Sequence, residues 1–239
     1  MPPARNKIDK NLQAIRENIA AAAARARRSA DEVELIAVTK SADLEQIKAL
    51  CELGVTQLGE SRVPQLVERS AQLAAWLEKK QLPPARWHLI GHLQRNKVKA
   101  VLDAGVDILH SLDSLRLAEE LDERAGKLGK RLDVLMEVNC SQEPQKFGVA
   151  VGAAVYLAEM ITTLKNLRIV GLMTMAPLSD NPEDARPTFV RLRELLEEMQ
   201  HDGIGGRELP HLSMGMSGDY QIAVEEGATM VRIGTAMFG

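Results

Sequence analysis

Two stretches of the chain combine residue types that can do chemistry. The first is the apolar run Glu34-Leu35-Ile36-Ala37-Val38-Thr39-Lys40, which ends in a lysine. A lysine partly withdrawn from water loses some of its preference for the charged form and becomes a nucleophilic amine, able to condense with a carbonyl. The second lies near the other end of the chain, in Leu212-Ser213-Met214-Gly215-Met216-Ser217-Gly218-Asp219 and Val231-Arg232-Ile233-Gly234-Thr235. A phosphate group needs backbone N–H donors that no side chain obstructs, together with hydroxyls. Gly215, Ser217 and Gly218 offer these in one loop, and Gly234 and Thr235 in the other. Each stretch also has a plainer reading. Lys40 can run its stem out to water, Gly215 and Gly218 can serve a turn, and Arg232 can pair with a carboxylate on a rim.

The elements that carry these residues decide between the readings. The run ending at Lys40 has the length and apolar content of a buried strand. Ile36, Val38 and Lys40 then share one face, and Leu35, Ala37 and Thr39 the other. After it, apolar strand patterns and helical stripes alternate about eight times. The strands are read at Val55–Leu58, Arg86–Ile90, Val106–His110, Leu132–Asn139, Leu167–Met173, Pro210–Met214 and Thr229–Ile233. Helices fall between them, one opened by Asp43, one over Val63–Lys79, one over Gln94–Leu102, one capped by Ser114, one ending near Leu164, one over Glu183–His201 and one over Asp219–Glu226. A polar loop spans Cys140–Phe147, and Gly203–Gly206 is read as a turn. A lead helix over Ile8–Arg28 carries the stripe Leu12, Ile15, Ile19 and Ala22 or Ala23.

This repeat predicts an α/β fold, a (β/α)8 TIM barrel with an extra N-terminal helix, as a single domain over residues 1–239. A doubly wound sheet is the alternative, but Lys40-Ser41-Ala42 stands where its glycine-rich turn is expected. In a barrel the first and last strands are neighbours. Lys40 and Arg232 then meet at the carboxyl ends of the strands, where barrels bind ligands and where the last two loops hold phosphate. An imine-forming lysine facing a phosphate site describes an aldehyde that carries a phosphate. Pyridoxal 5'-phosphate (PLP) is the obvious candidate.

Composition excludes other classes. The net charge is −3, which gives no electrostatic footprint for nucleic acid. Aromatic residues make up 3% of the chain, too few for a base-stacking platform. Cys51 and Cys140 lie far apart with no partner motif, which points to a reducing compartment and away from disulfides or a cysteine zinc site. The first residues lack a signal-peptide pattern, and no stretch is apolar enough to span a membrane. A soluble, cytoplasmic monomer is expected. His88 and His92 lie four apart on a strand, which sets their rings too far apart for one metal. His110 and His211 sit near strand ends, either lining a pocket or filling core and rim positions. Glu137 and Asn139 share a face at the end of the fifth strand and can reach a ligand. The basic run Arg95-Asn96-Lys97-Val98-Lys99 reads as a solvated helix face. Phosphate-loop, nucleophile-elbow and zincin patterns are absent.

The chain resembles the pyridoxal phosphate homeostasis proteins over essentially its whole length. The motifs that carry the resemblance are Ala37-Val38-Thr39-Lys40, Leu58-Gly59-Glu60, Trp87-His88-Leu89-Ile90-Gly91-His92-Leu93-Gln94-Arg95-Asn96-Lys97, Gly171-Leu172-Met173, Leu212-Ser213-Met214-Gly215-Met216-Ser217 and Val231-Arg232-Ile233-Gly234-Thr235-Ala236-Met237-Phe238-Gly239. That family is similar to the barrel domain of fold-type III alanine racemases and ornithine decarboxylases. The resemblance implies a Schiff base between Lys40 and PLP, phosphate contacts from Ser217, Gly234 and Thr235, and Arg232 beside the pyridine nitrogen. A cation there disfavours ring protonation and makes the cofactor a poorer electron sink. Ser61 departs from the asparagine usual in the family after Gly-Glu, and Gln145-Lys146-Phe147-Gly148 departs from its usual loop.

The function implied is PLP binding in vitamin B6 and amino-acid homeostasis without robust catalysis, with PLP-dependent apo-enzymes as partners that receive it. No catalytic residue is assigned. The alternatives are a PLP-dependent amino-acid racemase and a cofactor-free aldolase. Tyr156 and Tyr220, the two tyrosines of the chain, do not read as an opposing base.

Overall fold

The computed structural model describes residues 3–204 and 209–239. Its strands are β1 (Glu34–Val38), β2 (Gln57–Glu60), β3 (Arg86–Leu89), β4 (Ile108–Leu112), β5 (Leu132–Asn139), β6 (Val149–Ala150), β7 (Leu167–Met173), β8 (His211–Ser213) and β9 (Met230–Ile233). All pairings are parallel, in the order β4-β3-β2-β1-β9-β8-β7-β5, and β4 pairs with β5 to close the ring. The two-residue β6 stands outside the ring, against the end of β5. This is the eight-stranded (β/α)8 barrel. The doubly wound alternative falls because β1 and β9 are hydrogen-bonded neighbours, with Ile36 opposite Arg232.

Helix α1 (Pro3–Arg25) precedes β1, and α2 (Leu44–Glu52), α3 (Val63–Lys80), α4 (Val98–Asp103), α5 (Leu115–Lys127), α6 (Val151–Thr162), α7 (Arg186–His201), α8 (Tyr220–Glu225) and α9 (Thr235–Phe238) follow the strands. Side-chain alternation separates two cores. Ile36, Ile108, Leu135, Val170, Met173 and Met230 fill the barrel interior. The opposite strand faces pack outward against the helices, with Ala37, Leu58, Val134 and Leu172 among them. The extra helix α1 covers the seam where the chain ends meet. Leu12, Ile15 and Ile19 are buried, each contributing about 1.5–3 kcal/mol of transfer free energy. Asn11 donates to the Met237 carbonyl, Asn18 to the Tyr220 hydroxyl, and Arg28 to the Val224 and Ala228 carbonyls.

Several boundaries differ from the sequence reading, because ladder partners decide where a strand stops. The first strand ends at Val38, and Lys40 lies in the turn after it. The second runs on through Gly59 and Glu60, which pair with His88 and Leu89. The fourth extends to Leu112. The segment after His92 opens as a 3-10 turn over Arg95–Lys97 before α4 begins. Gly205 and Gly206 of the expected turn lie outside the described residues. No helix among the described residues is long and apolar enough to cross a membrane.

Candidate functional site

A cavity of about 500 Å³ opens at the carboxyl ends of the strands. Lys40, Ser217, Arg232, Gly234 and Thr235 all line it. So the barrel brings together the five residues singled out from sequence, taken from three separate loops and strands. Val38 lines the same cavity, so the β1 alternation carries on into the turn. Lys40 itself is exposed, rather than partly desolvated as the strand reading expects, because it sits beyond the last rung of β1.

The turn that presents Lys40 is clamped from behind. Arg69, on α3, donates to the Thr39 carbonyl at 2.7 Å and to the Ala42 carbonyl at 2.7 Å. The same guanidinium lies 2.5 Å from the Glu60 carboxylate at the end of β2. Glu60 is fully buried and also accepts from the Thr39 hydroxyl at 2.9 Å and from the Ser61 N–H at 2.9 Å. A buried ion pair with its remaining lone pairs satisfied holds a fixed geometry. Sequence reading missed Arg69, whose side chain finds Glu60 only in the folded barrel. The available signal was Glu60 itself, an acid inside a strand pattern that must meet a donor when buried.

The opposite wall is a cluster of donors. Ser217 Oγ accepts from the Gly234 N–H at 3.3 Å and the Ala236 N–H at 3.2 Å, which leaves its own O–H free to donate. The N–H groups of Ser217, Gly218 and Thr235 make no hydrogen bond within the described residues. Gly215 makes the preceding turn at φ +90, and a Cβ there would fall 2.5 Å from the Ala223 Cβ. At Gly234 a Cβ would meet the Val38 Cβ at 3.3 Å, so the loop closes tightly on β1.

The floor is formed by Arg232, which is 4% exposed and bonded at both ends of its fork. One nitrogen donates to Ser213 Oγ at 2.6 Å and another to the Thr174 carbonyl at 2.9 Å. It makes no ion pair among the described residues, so the reading in which it pairs with a rim carboxylate is not realised. Burial pulls its pKa down to about 10, against the raising influence of Glu137 and Asp219.

Beneath Arg232 a hydrogen-bonded chain runs down the barrel axis. His110 Nδ1 lies 2.9 Å from Ser213 Oγ, His110 Nε2 lies 2.9 Å from His88 Nδ1, and His88 Nε2 lies 2.8 Å from Gln57 Oε1. Gln57 Oε1 can only accept, so His88 Nε2 donates to it, and His88 Nδ1 and His110 Nδ1 become acceptors, the latter of the Ser213 proton. His110 then donates from Nε2 to His88. One tautomer satisfies every nitrogen, and both rings are neutral. Burial pushes His88 down to about 3 and His110 well below its ordinary value. Both are core residues, and neither lines the cavity. His211 is half-buried at the start of β8, at the far end of the barrel from the cavity. Among the described residues no group of three or more His, Cys, Asp or Glu side chains could hold a metal.

Of the two residues expected at the end of β5, Glu137 lines the cavity and Asn139 does not. Asn139 instead donates to the Glu143 carbonyl and shapes the following loop. Glu137 is 3% exposed, and burial with the nearby Asp113 charge raises its carboxyl to about 7. Phe147 from that loop stacks on His92 with centroids 4.1 Å apart, at the edge of the cavity. Tyr156 is exposed on α6 and Tyr220 is buried against α1, so neither tyrosine lines the cavity.

The family model described as alanine racemase, N-terminal domain, matches residues 10–239. The pyridoxal phosphate homeostasis protein of Aquifex aeolicus is 42% identical over 228 residues, which is 95% of this chain and 96% of the relative. The structure of PipY from Synechococcus elongatus with PLP bound superimposes with a TM-score of 0.82 at 32% identity, covering 97% of this chain and 100% of that one. An alanine racemase of Clostridium difficile has a TM-score of 0.74 at 15% identity, covering 98% of this chain and 56% of that one, which is a likeness of fold. At this identity and coverage the chain belongs to the pyridoxal phosphate homeostasis protein family.

Proposed function

We propose that this chain, as one domain over residues 1–239, binds PLP in the strand-end cavity and holds it covalently through Lys40. The observation that carries the reading is the pairing of a clamped, solvent-reachable amine with unclaimed N–H donors across one cavity. The PLP bound by PipY, a relative of the same fold, supports it. The cavity volume of about 500 Å³ falls in the range of small-molecule sites.

When bound, PLP supplies an aldehyde that condenses with a primary amine. The rest of the work belongs to the chain. Lys40 provides the amine, and Arg69 with Glu60 fixes the turn that carries it. Ser217 O–H and the N–H groups of Ser217, Gly218 and Thr235 would donate hydrogen bonds to the phosphate, and Gly234 keeps that wall free of a side chain. Arg232, pinned by Ser213 and Thr174, presents a fixed cation from the floor. Such an array binds and orients. Neither tyrosine lines the cavity, so the opposing tyrosine base of a racemase is not part of this array.

The role that follows is custody of a reactive aldehyde: intracellular PLP and amino-acid homeostasis, with delivery to PLP-dependent apo-enzymes, by a monomer in a reducing cytoplasm. Cys51 and Cys140 are free and buried, which agrees with that compartment. The test mixes protein and PLP and follows visible absorption, then reduces with borohydride and maps the modified peptide. The expected result is a coloured protein modified at Lys40, and a Lys40→Ala variant with neither property. A colourless wild type, or equal labelling of the variant, would overturn the reading. A racemase would also exchange the α-proton of amino acids in deuterium oxide faster than free PLP does.

A further inference from the structure

Glu137 is the one cavity-lining carboxyl that the binding array leaves unused and unpartnered. It projects from the inner face of β5, one rung above Leu135 of the barrel interior. It is 3% exposed, yet its carboxyl makes no hydrogen bond or ion pair among the described residues. The other acid of this wall, Asp219, is occupied, since it accepts from the Met216 N–H at 2.5 Å. The Glu137 oxygens are not among the enclosed, unpartnered polar atoms of the described residues, so they open onto the cavity, where a bound ligand can meet them. β5 stands opposite β1 in the ring, four strands away in either direction. A molecule attached at Lys40 and reaching across the floor therefore meets Glu137.

We propose that Glu137 is a ligand-contacting acid of this cavity, which in its neutral form donates a hydrogen bond to the anionic ring oxygen of bound PLP. The inference rests on the reading that the cavity takes PLP. The ionised form would set a second negative charge against that oxygen in a poorly hydrated site, whereas the neutral acid offers an O–H to it. The charged and titratable groups around Glu137 are Lys40 beyond β1, His92 beyond β3, Asp113 beyond β4, Asp219 before α8 and Arg232 on β9. Burial and Asp113 favour the neutral acid, while Arg232 opposes them, and the balance leaves the carboxyl near 7.

The sign of the pH effect follows. If PLP binds the neutral acid, binding raises the Glu137 pKa further, so its contribution is complete below the free pKa and fades as pH rises through the bound one. Lys40 and the phosphate also titrate, so the informative quantity is the ratio of dissociation constants, wild type over Glu137→Gln, at each pH. Glutamine keeps a donor but cannot ionise. PLP titration followed by visible absorption is expected to give a ratio near one at pH 6 that rises roughly tenfold or more by pH 8.5. A ratio that stays flat across that range overturns the proposal while leaving Lys40 labelling, and thus the binding reading, intact. If wild type binds no PLP, both fall. Infrared difference spectra of the wild type on adding PLP at pH 8 provide a second measurement that needs no variant. A new protonated-carboxyl band supports the contact, and its absence overturns it.

Discussion

Arg69 and Glu60 meet at 2.5 Å in a buried ion pair, and the same guanidinium holds the carbonyls of Thr39 and Ala42 that flank the Lys40 turn. Removing one partner of such a pair leaves an uncompensated buried charge. Arg69→Met is therefore expected to lower unfolding free energy by about 3–5 kcal/mol in urea titrations. Adding Glu60→Gln should restore part of that loss, because the stranded charge is gone. The double variant should still be modified at Lys40 more slowly than wild type, since its turn has lost both carbonyl contacts. A single variant within about 0.5 kcal/mol of wild type would show that the pair holds nothing.

Much of this arrangement was readable before folding. The alternation of apolar strands and helical stripes specifies a barrel, and the barrel alone makes β1 and β9 neighbours, which brings Lys40 and Arg232 to one cavity. Ser217, Gly218, Gly234 and Thr235 were legible as cavity-lining positions because each stands just past a strand, whereas Gly215 makes the turn before them and does not line the cavity. What failed was whatever depends on a partner distant in sequence. The end of β1 at Val38 and the extension of β2 to Glu60 are set by ladder neighbours. Arg69 looks like any helical surface arginine until Glu60 lies beneath it. Asn139 and Glu137 share a strand face, yet one turns to a loop carbonyl and the other to the cavity. Alternation places a side chain on a face, and only packing selects its partner.

The proposed phosphate contact of Ser217 can be tested apart from the rest of the ligand. Its oxygen accepts two backbone N–H groups, and its own proton is left for the cavity. A hydrogen bond to a charged group contributes about 1.5–3 kcal/mol, so Ser217→Ala is expected to weaken PLP binding by roughly 10- to 100-fold. Pyridoxal, which lacks the phosphate, should bind both proteins equally. Parallel absorption titrations with the two aldehydes check this. An equal loss for both would move the phosphate away from this loop.

The axial histidines give the folded state an acid limit. In the chain from Arg232 through Ser213, His110 and His88 to Gln57, each ring nitrogen already has its role, and a further proton on either ring would set one N–H against another N–H or against the hydroxyl proton of Ser213. His88 is held down at about 3 in the folded protein, while an unfolded histidine titrates near 6.5. Between those values the unfolded chain binds more protons, so stability rises with pH across that window and is complete above it. His88 alone gives a slope of about 1.4 kcal/mol per pH unit there. Glu137 contributes with the opposite sign between the usual carboxylate range and about 7, but equally in both proteins compared. His88→Gln keeps a donor and an acceptor on the axis without a titrating group. Urea midpoints of wild type and variant between pH 4 and 7 are expected to diverge at neutral pH, where the variant is weaker, and to converge toward pH 4. Parallel curves would mean that His88 is not held neutral by its neighbours.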